Sequence, residues 1–371
     1  DISWTDSFRL RLREKYMALR GYERAVRDSK IDMLSPVADR LAVGCATTSQ
    51  HLKAFEAVES GKAEFDTVMN ALTEDPDRLV SSHALAKEIH QIAQDIPDEE
   101  DALTALVISA DISTHGFGMG EVHLRINAAQ IRNAMRPVDG RTISVSDGVS
   151  SPRLLIERLA LRIRKESAWD ISFASLDGET ATARRQLMLA TQFLKHIDSD
   201  QPVRLLIAEC EKPLTIMSAL YLAHKFGITG MIDISPLFET SYGLEHGEKI
   251  VDQLLQQPVF IDYLRQRGRL SIQTGFSDAG RFVGQVAANM AIERLQLKIL
   301  RSLKAKVGTS IDLLIFNTHG ESLGRGGAQA RIAQRQAWLM TPYVRQQAAE
   351  LGISLFHQSS FQGGDGYRLF G

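Results

Sequence analysis

From Trp4 to about Ser109 the apolar positions recur at helical spacing, with no strand-like alternation between them. Leu10, Leu12, Tyr16, Met17 and Leu19 are interleaved with Arg9, Arg11, Arg13, Lys15 and Arg20. This predicts one long amphipathic helix whose basic side is a solvated face. Two more helical patterns cover about residues 48–72 and 77–96, the second running into an acidic turn at residues 97–101. Nothing in this stretch has the spacing of metal ligands, so it reads as scaffold or docking surface.

After Asp111 the pattern changes to strand followed by helix, repeatedly. Residues 122–126 form a strand candidate whose alternation leaves His123 and Arg125 on one face. A Gly-, Ser- and Asp-rich loop follows at 139–152, then helical patterns at 151–165 and 180–195. Strands are expected at 203–208, 231–234, 270–274, 313–316 and 353–356, separated by helices at 214–226, 245–265, 284–307 and 328–351. Such alternation predicts an α/β fold with a parallel sheet and right-handed crossovers. Most of these strands end in polar groups: Glu209 and Glu211, Glu239, Asp278, then His319 with Arg325. Charged groups on successive strand ends converge best at the mouth of a parallel β/α barrel of the TIM type. The six strands counted here fall short of the roughly eight such a barrel needs, so the barrel is expected to be incomplete within this chain. The expected division is a helical scaffold at 1–110 and a barrel portion at 111–371.

Composition narrows the class. The 371 residues are 44% hydrophobic, enough for a large core, and a net charge of −2 argues against nucleic acid as a partner. No apolar run approaches the ~18 residues of a membrane span, which leads to an expectation of a cytoplasmic protein without a membrane partner. Only Cys45 and Cys210 are present, too few for a disulfide framework or a cysteine-rich zinc site. The chain opens on Asp1, and a piece of a longer polypeptide is expected.

The chemistry concentrates at 311–327, where a buried-strand pattern ends in Asn317, Thr318 and His319 and gives way to Gly320, Gly324, Gly326 and Gly327 around Arg325. Glycines beside an arginine let backbone N–H groups approach an anion while the guanidinium forks onto it. Glu239 and Asp278 offer hard carboxylate oxygens on consecutive strands, which suits Mg²⁺ or Mn²⁺. Arg125, Arg281 and Arg325 would surround such an ion with donors for a small anion carrying phosphate or carboxylate. His319 is a candidate proton carrier or donor to an enolate oxygen. No P-loop is present, which argues against a nucleoside triphosphate.

These residues carry a resemblance. Ser235-Pro236-Leu237-Phe238-Glu239-Thr240 resembles the Pro-Leu-Phe-Glu-Thr segment of the phosphoenolpyruvate carboxylase family, and Thr274-Gly275-Phe276-Ser277-Asp278 resembles its Gly-Tyr-Ser-Asp metal loop. His319-Gly320 with Gly324-Arg325-Gly326-Gly327 is similar to its glycine-rich loop. Gly116-Phe117 with Leu124-Arg125-Ile126-Asn127, and the Glu211-Lys212-Pro213 turn, match further elements in the same order. The resemblance implies a mostly helical protein around a β/α barrel that converts phosphoenolpyruvate and bicarbonate to oxaloacetate and phosphate with Mg²⁺ or Mn²⁺. It further implies that Glu239 and Asp278 hold the metal and that Arg125 and Arg325 bind phosphate or carboxylate. His319 would sit beside the glycine loop. A homo-oligomer is expected, together with the remaining parts of a longer polypeptide as partners.

Departures from the family pattern are specific. Glu321 stands where an arginine directly follows the family's His-Gly, which inverts the local charge. Arg281 replaces a lysine, and Phe282 replaces an acidic neighbour. The glycine loop is shorter, the helix expected at 328–351 is longer, and neither an Ala-His-Pro-Thr motif nor the family's long C-terminal helical part is found. Two other readings therefore stand beside a carboxylase or a portion of one. One is a divergent barrel enzyme with enolate or carboxyl chemistry on another small anion; the other is a non-catalytic assembly module of the same fold. With six strands and no such histidine motif, residues 1–371 alone are expected to form no oxaloacetate at an appreciable rate. A coupled oxaloacetate assay on the purified chain checks this, and robust divalent-metal-dependent turnover would overturn it.

Overall fold

The computed structural model describes residues 3–57, 72, 78–118, 120–136, 151–275, 277–317 and 340–359. By contact density the chain divides into residues 1–122 with 169–203, and residues 123–168 with 204–371. The second unit carries the sheet: β1 Val122–Asn127, β2 Val203–Ala208, β3 Ile232–Phe238, β4 Arg269–Thr274, β5 Asp312–Asn317 and β6 Leu355–Ser359. They lie side by side in sequence order, a parallel six-stranded α/β sheet with β1 and β6 as its edges among the described residues. The order never reverses, so there is no switch point of the doubly wound kind.

The sheet is strongly curled. The ring of His123 on β1 meets the ring of Phe316 on β5 edge-on, with centroids 5.3 Å apart. The Arg204 guanidinium on β2 lies 5.5 Å from the same ring centre and also donates to Gln358 on β6. In a flat sheet, strands four places apart are separated by about 19 Å. These contacts therefore need a sheet bent far enough for side chains of its outer strands to meet across the concave face. On that face Ser235 and Ser271 share a hydrogen bond of 2.6 Å, and at the strands' N-terminal end the buried Asp233 accepts from Arg267 (2.9 Å) and Arg269 (3.1 Å). The convex face is apolar and covered by helices. Gly247 in the helix Ser241–Leu254 lets that helix close onto β3, since a Cβ there would stand 2.9 Å from the Phe238 ring and 3.1 Å from Leu295.

Several boundaries differ from the sequence pattern for local reasons. β3 runs on to Phe238, so Ser235, Pro236 and Leu237 continue the strand expected to end at residue 234, and Glu239 is the first residue past it. The helix expected at 245–265 is two helices, Ser241–Leu254 and Pro258–Arg267, with Pro258 opening the second, where its missing N–H costs nothing. The helix placed at 48–72 begins far earlier, at Ser35, and runs to Ala57; residues 58–71 lie outside the described residues. The acidic turn at 97–101 starts a helix instead of only ending one. Asp98 caps Glu99–His115 by accepting from Glu100 N and Asp101 N, both at 3.0 Å, and the acidic first turn suits the positive end of the helix dipole. The expected loop at 139–152 and the first part of the helix expected at 328–351 fall almost wholly outside the described residues; Pro342–Leu351 is helical.

The first unit packs the long helix Trp4–Ser29 against its neighbours through Leu19, Tyr22, Leu41, Ile89, Ala105 and Ile112. Phe8 joins Phe55, Phe173 and Phe193 in an aromatic cluster that also takes in the His196 ring. Asp198 is buried and accepts from Phe117 N (2.8 Å), Asp200 N (3.1 Å) and Ser82 N (3.4 Å), tying three segments together. Lys15 is also buried and donates to the His196 carbonyl at 2.8 Å. Burial, partly offset by the Asp198 charge, pulls its ammonium down to about 7, and burial holds the His196 imidazole down to about 3.

These shifts act in separate pH windows. Below pH ~7 Lys15 is charged in both folded and unfolded chains, so its burial penalty is fully present. Between pH ~7 and ~10.5 the folded chain has released a proton that the unfolded chain still holds, and stability rises with pH. The His196 effect is a loss of stability as pH falls below ~6.5. Lys15→Met is expected to raise the melting temperature at pH 6–7. It should also remove a rise of at most about 1.4 kcal/mol per pH unit across the upper window. Parallel melting curves for the two proteins from pH 7 to 10 would show that Lys15 is not the source.

Candidate functional site

The site is built where β3 and β4 end level. Leu237 pairs with Gln273 and Phe238 with Thr274, and the ladder is continued by Gly275 N donating to Phe238 O at 3.0 Å. Glu239 and Gly275 are therefore neighbours, each one step past its strand. A Cβ on Gly275 would lie 2.6 Å from Glu239 Cβ and 3.2 Å from Leu237. The glycine leaves the space into which the Glu239 side chain is set. Leu237 and Gln273 share the concave face with Ser235 and Ser271, so Glu239 stands at the mouth of the curl, above Leu237.

The end of β2 closes the other side. Glu209 adopts a left-handed backbone, φ 55°, and its N–H donates to Glu239 Oε1 at 3.4 Å. Thr240 donates its hydroxyl to Glu211 (2.8 Å) and accepts from Gly243 N (2.9 Å), which caps the helix Ser241–Leu254 and anchors the residue after Glu239. Between the two glutamates, Cys210 is a buried free thiol that burial pushes up to about 12, so it is inert.

The predicted residues are distributed as follows. Arg125 is exposed on β1, two residues beyond His123 and on the same, concave face. Asp278 is the second residue of the short helix Ser277–Val283, three residues past Gly275, on the strand end next to that of Glu239; its side chain lies outside the described residues. Arg281 is exposed in the last turn of that helix. His319, Gly324, Arg325, Gly326 and Gly327 lie outside the described residues. Among the described residues no three His, Cys, Asp or Glu side chains gather as a metal-ligand set. The donor chemistry still fits a hard divalent ion that keeps water and substrate ligands, with the Gly275 cradle admitting the Glu239 carboxylate. The left-handed Glu209 was missed because no residue type there signals it; non-glycine residues seldom adopt that backbone.

Among the described residues, the fold is a parallel α/β sheet in which Glu209, Glu211 and Glu239 lie just past the ends of two neighbouring strands. A family model described as phosphoenolpyruvate carboxylase matches residues 33–339. The chain belongs to the phosphoenolpyruvate carboxylase family. Phosphoenolpyruvate carboxylase of Marinomonas sp. (strain MWYL1) is 31% identical over 127 residues, covering 34% of this chain and 14% of the relative. Phosphoenolpyruvate carboxylase 2 of Chlamydomonas reinhardtii is 32% identical over 106 residues, 28% of this chain and 8% of the relative. The enzyme of Corynebacterium glutamicum is 23% identical over 264 residues, 68% of this chain and 27% of the relative. The chain thus spans well under a third of the length of these relatives. Among the described residues no helix is long and apolar enough to cross a membrane.

Gly275→Ala is expected to displace Glu239, because the colliding atom is Glu239 Cβ next to the backbone rather than a flexible tip. Mn²⁺ affinity, read by electron paramagnetic resonance, should fall by about tenfold or more, equivalent to about 1.4 kcal/mol. Unchanged affinity would mean that Glu239 does not contribute to a metal site.

Proposed function

We propose that this chain carries part of a phosphoenolpyruvate carboxylase active site, which forms oxaloacetate and phosphate from phosphoenolpyruvate and bicarbonate. The observation that carries the reading is the level ending of β3 and β4, which sets Glu239 against Gly275 with Asp278 following on the adjacent strand end. Glu239 and Asp278 would hold Mg²⁺ or Mn²⁺, which when bound supplies stabilisation of negative charge on oxygen.

The chain's own residues do the rest. Arg125, Arg281 and Arg325 bind the phosphate and carboxylate of the substrate and fix it in the mouth. The backbone N–H groups of Gly324, Gly326 and Gly327 approach the anion, and His319 offers a donor to the enolate oxygen. A bicarbonate oxygen attacks phosphorus as the bond from phosphorus to the enol oxygen breaks, giving carboxyphosphate and an enolate. Carboxyphosphate yields CO₂ and phosphate, which carries away the bicarbonate proton, and the enolate carbon adds to CO₂. Arginines aimed at the oxygens where charge accumulates lower the barrier to each step.

Binding tests this without requiring turnover. Isothermal titration with Mn²⁺ should show about a tenfold or greater loss for Glu239→Gln. Arg325→Ala should weaken phosphate binding far more than it lowers the melting temperature. Full-strength phosphate binding by Arg325→Ala, or full-strength Mn²⁺ binding by Glu239→Gln, would overturn the assignment. Selective binding of a non-phosphorylated dicarboxylate would favour the divergent-enzyme reading that Glu321 suggests.

A further inference from the structure

Among the described residues, the concave face carries an imidazole, that of His123, which the proposed reaction does not use. His123 lies on β1 two residues before Arg125, so both side chains leave the same face of one strand about 7 Å apart along it. Its ring stands at 83° to the Phe316 ring, 5.3 Å between centroids, which fixes where the imidazole sits. Phe316 pairs with Gln273 on β4 and Gln358 on β6, and Gln273 pairs with Leu237 on β3. Leu237, Gln273, Phe316 and Gln358 therefore form one layer across four strands, all facing inward. Glu239 and Gly275 occupy the next layer up. His123 is thus held against the layer directly beneath the mouth, with Arg125 one step nearer the opening.

The two surroundings of Phe316 differ. Arg204, which also approaches that ring, is 1% exposed and is engaged with Gln358 on the inside of the curl. His123 touches the same ring yet remains exposed, as does Arg125 two residues on. A side chain needed only to fill the curl would be apolar, as Leu206 and Leu314 are, both buried on β2 and β5. An imidazole keeps an N–H donor in either protonation state.

We infer that His123 is a second anion-contacting residue of this site: its imidazole and the Arg125 guanidinium bind the same phosphate-bearing anion, with Phe316 holding the ring in place. The inference rests on the proposed reading of the mouth as an anion site and adds to it a residue that no matched motif contains. A phosphate monoester suits the pair because its three terminal oxygens can take one bond from each group.

The test is titration of the full chain with inorganic phosphate and with phosphoenolpyruvate, in the presence of Mn²⁺. His123→Phe keeps a flat ring against Phe316 but removes the N–H, and His123→Gln keeps a donor without the ring. Phosphate affinity should fall about tenfold or more in His123→Phe while the melting temperature and Mn²⁺ affinity hold, and His123→Gln should recover part of the loss. Wild-type phosphate affinity in His123→Phe, with Arg125→Ala weakened, would overturn the role of His123 and leave the anion site standing. Absence of phosphate binding by the unaltered chain would overturn the anion site and His123 with it.

Discussion

Leu237 and Phe238 stand opposite Gln273 and Thr274, and everything proposed for this molecule depends on that register. Side chains alternate along a strand, so a slip of one residue would turn the concave set outward and bury the convex set in the mouth. The register is specified from both sides. On the concave side the Ser235–Ser271 hydrogen bond and the Asp233 ion pairs with Arg267 and Arg269 match only in this alignment. On the convex side Phe238 fits the notch left by Gly247. A buried carboxylate with two arginines is a poor source of net stability but a strong discriminator, since a slipped strand leaves it unpaired. The hydrophobic face supplies the drive to pack, and the polar face chooses the alignment.

Curling is the second constraint and follows from the strand order. Strands laid down in one direction place their crossover helices on one side only, leaving the other face uncovered. That face is hidden by bending the sheet until β1 and β2 touch residues of β5 and β6, as His123, Arg204, Phe316 and Gln358 do. The outer strands are thereby brought close to one another, where a flat sheet of the same sequence would hold them tens of ångströms apart.

How much of this was legible depends on whether the cause was local. The strand at 203–208 and the helix after it were readable to within a residue, because a mostly apolar run, interrupted only by Arg204, is bounded by Pro202 on one side and Glu209 to Pro213 on the other. The continuation of β3 was not, because Ser235 and Pro236 carry turn chemistry and are overruled by partners on β4. Likewise the apolar periodicity of 245–265 masked the break at Pro258, although a proline opening a helix was in plain view. The helix starting at Ser35 was missed for the same reason, since its Ser-Pro start signal precedes a weakly patterned face. Of the candidate site, Glu239, Gly275 and Asp278 were legible as motifs, and the shared face of His123 and Arg125 as alternation. What ties β1 to β5 was not, because a ring contact across almost two hundred residues leaves no mark in either segment.

Glu209 shows where energetics and function separate at this strand end. A left-handed backbone at a non-glycine residue costs on the order of 1–2 kcal/mol, and a glycine there would avoid it. The side chain is exposed, so apolar burial does not offset that cost. The conformation does aim the Glu209 N–H at Glu239 Oε1. An extended backbone would carry β2 straight on and point that donor elsewhere. The strain is thus stored beside Glu239, one of the two carboxylates that the proposed chemistry requires. Strain retained at a residue that contributes no packing is better explained by the group it orients than by the fold it interrupts.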